Sequence, residues 1–340
     1  MNVWKKVALV GVCASALVLA ACNKKEAKKD NLVIKFTSVT TQDSPKGQGI
    51  ELFKKLVEER SQGKIKVETY HNSTLFKDKE EAEALQSGTV QLAGLSLAKF
   101  GPLGIKEFEL FDTPYLFNDF NDVHKVTQGP VGAEMMKLVE TKGLKGVAFW
   151  DNGMKLMSAN KPIHTVEDYK GLKMRIQSSK VIDLQMKSIG ALPQVMAFSE
   201  TYQALSTGVV DGTENPPSNM LSQKMHEVQK HASLTNHGIL GYLVVANKKF
   251  WDGMSDEQRT IVQAALKEAT DFTNKIAQEE NDKALAQIKA SGKTDVYTPT
   301  ADERLALKKA MVTSHKGIDA MVGGGWMQKM YQAVGFDANK

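Results

Sequence analysis

Thiols are nearly absent from this chain. Its 340 residues include two cysteines, Cys13 and Cys22, and none follows them. Disulfides, cysteine nucleophiles and thiolate metal sites are therefore excluded beyond residue 22, and the fold must be held by its core. An excess of one charge sign is missing too. The chain has 44 basic and 39 acidic residues, a net charge of +5, of which the first 21 residues contribute Lys5 and Lys6 and no acid. So small and scattered a surplus argues against a nucleic-acid partner and is compatible with a small anionic ligand. No apolar run is comfortable as a membrane span, since the longest, 7–21, is short for a bilayer. Enzyme signatures are also lacking. There is no Gly-x-Ser-x-Gly elbow, and His226 and His231 stand five apart, where a zinc-binding helix needs four. Those histidines read as solvated polar residues of a helix. Gly323-Gly324-Gly325 lacks the lysine of a phosphate loop and reads as a turn, and the seven histidines show no metal-ligand spacing. No cofactor or metal is expected. A carboxylate pair assembled by folding stays open.

The N-terminus carries the first positive signal. Lys5 and Lys6 precede the apolar stretch 7–21, which ends Leu19-Ala20-Ala21-Cys22 and is followed by the lysine-rich run 23–30. This resembles a bacterial lipoprotein signal with its lipobox, in which Cys22 is lipidated and becomes the mature N-terminus. A plain signal peptide with an incidental Cys22 is the alternative. The expectation is a periplasmic protein anchored to a membrane through Cys22, with residues 22–30 as a flexible tether.

Beyond the tether, short apolar runs alternate with helical periods. Residues 32–36, 65–70 and 90–95 read as strands, and 49–60 and 79–87 as amphipathic helices, a rhythm that indicates a parallel, doubly wound sheet. The rhythm restarts at 144–150, 172–177 and 192–196, with a short helix at 199–207 and a turn at 208–212. Residues 240–246 form a continuous apolar run, as in a buried strand. Ser255-Asp256-Glu257-Gln258 is a capping box opening a helix to about residue 289, and Thr300-Ala301-Asp302-Glu303 is another. Two α/β lobes joined by crossing segments follow: 31–150, then 151–245, with 246–340 returning across both.

Three strings carry a family resemblance: Gly171-Leu172-Lys173-Met174-Arg175, residues 196–208 (MAFSETYQALSTG), and Val209-Val210-Asp211-Gly212-Thr213-Glu214-Asn215-Pro216. In this order they resemble the TRAP-type periplasmic solute-binding proteins, over nearly the whole chain beyond the leader. The stretches 43–48, 96–102 and 235–238 are similar to the C4-dicarboxylate-binding branch. The resemblance implies an α/β, two-lobed periplasmic-binding-protein-like fold, with the ligand cleft between the lobes and a long helix spanning both.

It also implies site residues. Arg175 corresponds to the arginine that clamps a ligand carboxylate, a role suited to a planar guanidinium with two parallel donors. A structural ion pair is the alternative. Asn215 carries over as an amide donor to the same carboxylate. Lys155 stands where many relatives have a second arginine, so it offers a point charge without the bidentate fork. Trp150 and Phe198 are candidates for the cleft wall, with ordinary core as the alternative. Lys46, Ser96, Lys99 and Asn236 are candidates for the distal carboxylate, with a solvated surface position as the alternative for each. The expected function is capture of succinate, malate or fumarate by cleft closure and delivery to a TRAP permease in the membrane. Other organic acids (sugar acids, 2-oxo acids, sialic acids), ligand sensing and an exported hydrolase or lyase are the competing readings.

Overall fold

The short apolar runs become strands of two separate sheets. The computed structural model describes residues 32–337, so the leader, the tether and Cys22 lie outside the described residues. The strands are β1 (Leu32–Thr37), β2 (Ile65–Tyr70), β3 (Leu92–Ser96), β4 (Leu144–Met154), β5 (Leu156–Ala159), β6 (Lys173–Ile176), β7 (Leu192–Val195), β8 (Gly212–Asn215), β9 (His231–Ser233), β10 (Ile239–Asn247) and β11 (Asp295–Tyr297). One sheet has the order β2-β1-β3-β10-β4 and the other β11-β9-β5-β8-β6-β7.

In the first sheet β1, β2 and β3 run parallel, as the alternation with helices implies, while β10 pairs antiparallel to both β3 and β4. Every residue of β10 is buried, which accounts for its unbroken apolar run. Helix α1 (Pro45–Arg60) lays Ile50, Phe53 and Val57 against Ile34 and Phe36 of β1. Helix α2 (Asp78–Ser87) crosses from β2 to β3. In the second sheet β6 is parallel to β7 and β8.

The lobes are joined with very little chain. Between β4 and β5 a single residue, Lys155, passes from one sheet to the other, and the return from β9 to β10 uses residues 234–238. The 151–245 span expected for the second lobe therefore needs correction. Residues 151–154 and 239–245 belong to the first sheet, because β4 and β10 pair along their length. The helix expected around His226 and His231 is also absent: His226 sits in a short turn, Met225–Glu227, and His231 opens β9.

The long helix, Asp256–Ser291, starts at the capping box of Ser255 and Gln258 and stops at Gly292, which adopts a left-handed conformation. Its 36 residues span about 54 Å at 1.5 Å per residue. Val262, Ala265, Leu266 and Ala269 join the core of the first lobe, and Ile288 joins that of the second. The chain then returns: Leu307 and Met311 pack in the second lobe, and Ile318, Trp326, Met327 and Met330 in the first.

Small residues let α1 approach the long helix. A Cβ on Gly49 would stand 2.0 Å from Thr273 Oγ1. Gly49→Ala should thus cost about 1–3 kcal/mol by overpacking. A lower urea midpoint at an unchanged slope is the expected result. An unaltered midpoint would mean that the two helices simply shift apart.

Candidate functional site

The cleft lies where the carboxyl ends of the parallel strands meet, the usual crevice of an open α/β sheet. From the first lobe it is lined by Val39 and Thr40 beyond β1, Ser96 and Lys99 at the end of β3, Lys46 of α1, Asp78 of α2, and Leu240 and Tyr242 of β10. From the second come Gln177 beyond β6, Phe198 beyond β7, Asn215 at the end of β8, and Asn219. They close around a small cavity of about 20 Å³. A groove of about 560 Å³ between β4 and the long helix is larger, but none of the buried lysines or arginines faces it.

Lys46 is buried in the first turn of α1. Its Nζ donates to the Gly94 carbonyl at 2.9 Å and sits 4.0 Å from the centre of the Tyr242 ring. Gly94 makes this possible, because a Cβ there would come within 2.9 Å of Lys46 Cδ. Burial, with the nearby charge of Lys99 adding to it, lowers the Lys46 pKa to about 7 despite the fields of Glu81 and Asp78. Beside it the buried Ser96 hydroxyl has no hydrogen-bond partner among the described residues. Lys99 lines the cleft as well, but it is paired: Nζ lies 3.1 Å from Asp78 and 3.0 Å from Glu81. Burial disfavours the Lys99 charge, yet the two carboxylates outweigh it and raise the pKa. Burial works against ionisation of Asp78 too, and Lys99, Arg175 and the Phe198 N–H together hold its pKa at about 2. That N–H bond, 2.8 Å long, ties the two lobes together across the cleft.

Arg175 on β6 is buried directly behind this lining. Its Nε and Nη2 donate to the Met196 carbonyl at 3.0 and 2.8 Å, and the guanidinium carbon lies 5.7 Å from the Phe198 ring centre. Asn215 reaches the cleft surface. Its amide donates to Thr213 Oγ1 at 3.2 Å and accepts from Asn219 at 3.5 Å. The structure thus brings together Arg175, Asn215, Phe198, Lys46, Ser96 and Lys99 of the residues singled out from sequence. It adds Asp78, Gln177, Asn219 and Tyr242, which sequence reading missed. Position alone offered a signal for Gln177, two residues beyond Arg175 at the end of the same strand.

Three candidates are elsewhere. Lys155 is a structural charge: Nζ lies 3.2 Å from Asp112 and 3.0 Å from Glu214, all buried at the crossing between sheets. His237, from the return crossing, lies 3.1 Å from the same Glu214 oxygen, Oε2. Burial opposes the charges of Lys155 and Glu214, but their attraction prevails, raising one pKa and lowering the other, whereas burial lowers that of His237. Trp150 is core: it stacks on Phe36 at 6.3 Å, and its indole N–H donates to Thr270 of the long helix at 2.7 Å. Asn236, at a left-handed φ of 46°, borders a different hollow with Pro217 and Asp282. For Lys155 and Trp150 a nearer partner claims the side chain.

Residues 36–320 match the family described as bacterial extracellular solute-binding protein, family 7. A C4-dicarboxylate-binding periplasmic protein, DctP, of Rhodobacter capsulatus is 53% identical over 316 residues, which cover 93% of this chain and 94% of that one. A TRAP periplasmic solute-binding protein from Sulfurospirillum deleyianum, solved with bound succinate, superposes with a TM-score of 0.86 at 41% identity. The match covers 89% of this chain and 99% of that one. A counterpart from Pseudomonas aeruginosa with bound L-malate gives 0.82 at 40% identity, over 84% and 99%.

Replacing Lys155 by methionine leaves Asp112 and Glu214 buried without their cation, a loss of roughly 3–5 kcal/mol. Urea unfolding of Lys155→Met without ligand should show that loss. Wild-type stability combined with lost ligand affinity would return Lys155 to the ligand site.

Proposed function

The chain belongs to the bacterial extracellular solute-binding proteins of family 7, and we propose that it captures its ligand with one buried cation from each lobe, Arg175 and Lys46. It is the extracytoplasmic solute-binding component of a TRAP transporter for C4-dicarboxylates. A single observation supports the two-cation reading. Four lysine and arginine side chains are buried among the described residues: Lys46, Lys99, Lys155 and Arg175. Lys99 and Lys155 each face two carboxylates at ion-pair distance. Lys46 and Arg175 have none at that distance, although Asp78 acts on both through its field. A C4-dicarboxylate brings two carboxylates to the two cations left over.

In this reading Arg175 and Asn215 take one carboxylate, and Lys46 with the Ser96 hydroxyl takes the other. Phe198 packs against the carbon chain. Capture brings the lobes together over a ligand that supplies the missing countercharges, and water leaves the cleft, which strengthens each charge-assisted bond. The loaded protein then hands its ligand to the membrane permease. Its attachment is a lipid on Cys22, inferred from the Leu19-Ala20-Ala21-Cys22 string. Cys22→Ser should abolish fatty-acid labelling and release the protein from the membrane fraction; unchanged labelling would sink the anchor.

Calorimetric titration with succinate tests the pair. Arg175→Ala should lose roughly 2–5 kcal/mol of binding. Lys46 adds a pH dependence of predictable sign. Its ligand-free pKa is about 7, and a bound carboxylate raises it, so above pH 7 the complex holds more protons than the free protein. Affinity should fall as pH rises above 7, by at most about tenfold per unit. Lys46→Gln should bind more weakly and lose that slope. An unchanged slope in Lys46→Gln, or unchanged affinity in Arg175→Ala, overturns the assignment of that residue.

A further inference from the structure

Two of the cleft-lining groups, Asn219 and Tyr242, are connected by a residue that does not line the cleft. Asn152 lies within β4, buried, and donates both amide N–H groups: one to Asn219 Oδ1 at 3.0 Å, the other to Tyr242 Oη at 2.6 Å. The direction of these bonds follows from a backbone group that cannot reverse. The Arg175 carbonyl can only accept, and Thr213 Oγ1 donates to it at 3.5 Å. A hydroxyl has one proton, so Thr213 must accept from its other neighbour, Asn215 Nδ2, at 3.2 Å. Asn215 then presents Oδ1 to Asn219 Nδ2 at 3.5 Å, Asn219 presents Oδ1 to Asn152, and Asn152 presents Oδ1 to the Ser218 hydroxyl at 2.9 Å.

The far end is anchored on the long helix. Asn281 accepts from the Ser218 N–H at 3.0 Å and donates to the carbonyls of Asn152 and Ala277 at 2.7 and 2.8 Å. These backbone partners also permit one amide orientation only. The result is a one-way chain of donors from Ser218 to the carbonyl of Arg175, with a branch at Asn152 that ends on Tyr242.

We propose that Tyr242 donates its hydroxyl proton to a ligand carboxylate, and that Asn152 is the positioning residue that holds Tyr242 and Asn219 as donors toward the cleft. Tyr242 Oη accepts from Asn152, and the Asn219 side chain also hydrogen-bonds the hydroxyl; with both amides acting on the oxygen, its own proton is left for the ligand side. The tyrosine stands beside Lys46, whose ammonium lies against its ring, so the hydroxyl joins the lysine and Ser96 on the wall facing one carboxylate. A wall made of donors favours carboxylate oxygens, which only accept, over a carboxylic acid, amide or alcohol that must also donate. The inference rests on the dicarboxylate reading above.

The test is a double-mutant cycle by calorimetry with succinate on wild type, Tyr242→Phe, Asn152→Leu and the double variant, with melting temperatures recorded without ligand. Tyr242→Phe should weaken binding about tenfold, as for a lost hydrogen bond to a charged group. Asn152→Leu should weaken it by a similar factor, and the double variant should bind no worse than about threefold below either single one, since Asn152 acts through the hydroxyl. If Asn152→Leu does not fold, Asn152→Asp replaces it. Its carboxylate would accept from Tyr242 and turn the proton away, so adding Tyr242→Phe should again cost little. Multiplicative losses would make Asn152 a structural residue only, and Tyr242→Phe binding like wild type would remove the tyrosine from the site. Either result overturns the proposal while leaving the functional reading intact. A wild type that binds no C4-dicarboxylate overturns both.

Discussion

A cation withdrawn from water needs a partner, and the cleft holds two cations, Lys46 and Arg175, that have no carboxylate at ion-pair distance among the described residues, only the weaker field of Asp78. Burial of an isolated charge is among the costliest steps a fold can take, and proteins normally pair such groups or neutralise them. Lys99 and Lys155 follow that rule, each with two carboxylates. Arg175 is sustained by the Met196 carbonyl and the face of Phe198, and Lys46 by the Gly94 carbonyl and the face of Tyr242. Dipoles and ring faces hold a cation in place without cancelling its charge. Each lobe therefore contributes a cation without a close countercharge, and in the proposed reading a ligand with two carboxylates satisfies both.

The pairs that are satisfied have a different task, which is to keep the geometry. Lys155 is the only residue between β4 and β5, and its N–H donates to Gly238 on the return crossing at 2.9 Å. Its side chain gathers Asp112 and Glu214, and Glu214 in turn holds His237. Both crossings are thus pinned at one buried cluster. Glu214 immediately precedes Asn215, so the same cluster fixes the strand end that presents the Asn215 amide to the cleft. Asp78 works on the other side of the cleft, joining Lys99 in one lobe to the Phe198 N–H in the other.

Much of this was legible in one dimension. The strand and helix rhythm, the capping box at Ser255 and the apolar run of β10 follow from local periodicity and capping chemistry, which need no tertiary knowledge. Arg175, Asn215 and Phe198 came from strings that resemble a family. The lysines were harder. Lys46, Lys99 and Lys155 are all buried, and what separates them is the partner each finds. Asp112 and Glu214 lie 43 and 59 residues from Lys155, so no local pattern reports them. Tyr242 was hidden inside an apolar strand that reads as core. Asn152 sits in an Asn-Gly pair, a turn signal in most settings, yet it lies within the eleven residues of β4. Trp150 was misplaced because a strand has two faces, and the tryptophan faces the long helix.

The choice of an arginine on one lobe and a lysine on the other makes the two halves of the site unequal. A guanidinium keeps its proton in any folded protein, so Arg175 requires an anion or dipole at all times, and the Met196 carbonyl provides one. A buried lysine has a second course: with a pKa near 7 it can release its proton and remain as a neutral amine. The empty cleft then carries one obligatory charge instead of two, which lowers the cost of closing without ligand. In the proposed reading a dicarboxylate reverses this, because its second carboxylate restores the lysine proton and gains a full ion pair. A monocarboxylate gives Lys46 no such partner. On that reading, discrimination between one carboxylate and two resides in a group whose charge is made by the ligand itself, beside the hydroxyls and amides of Ser96, Tyr242 and Asn215.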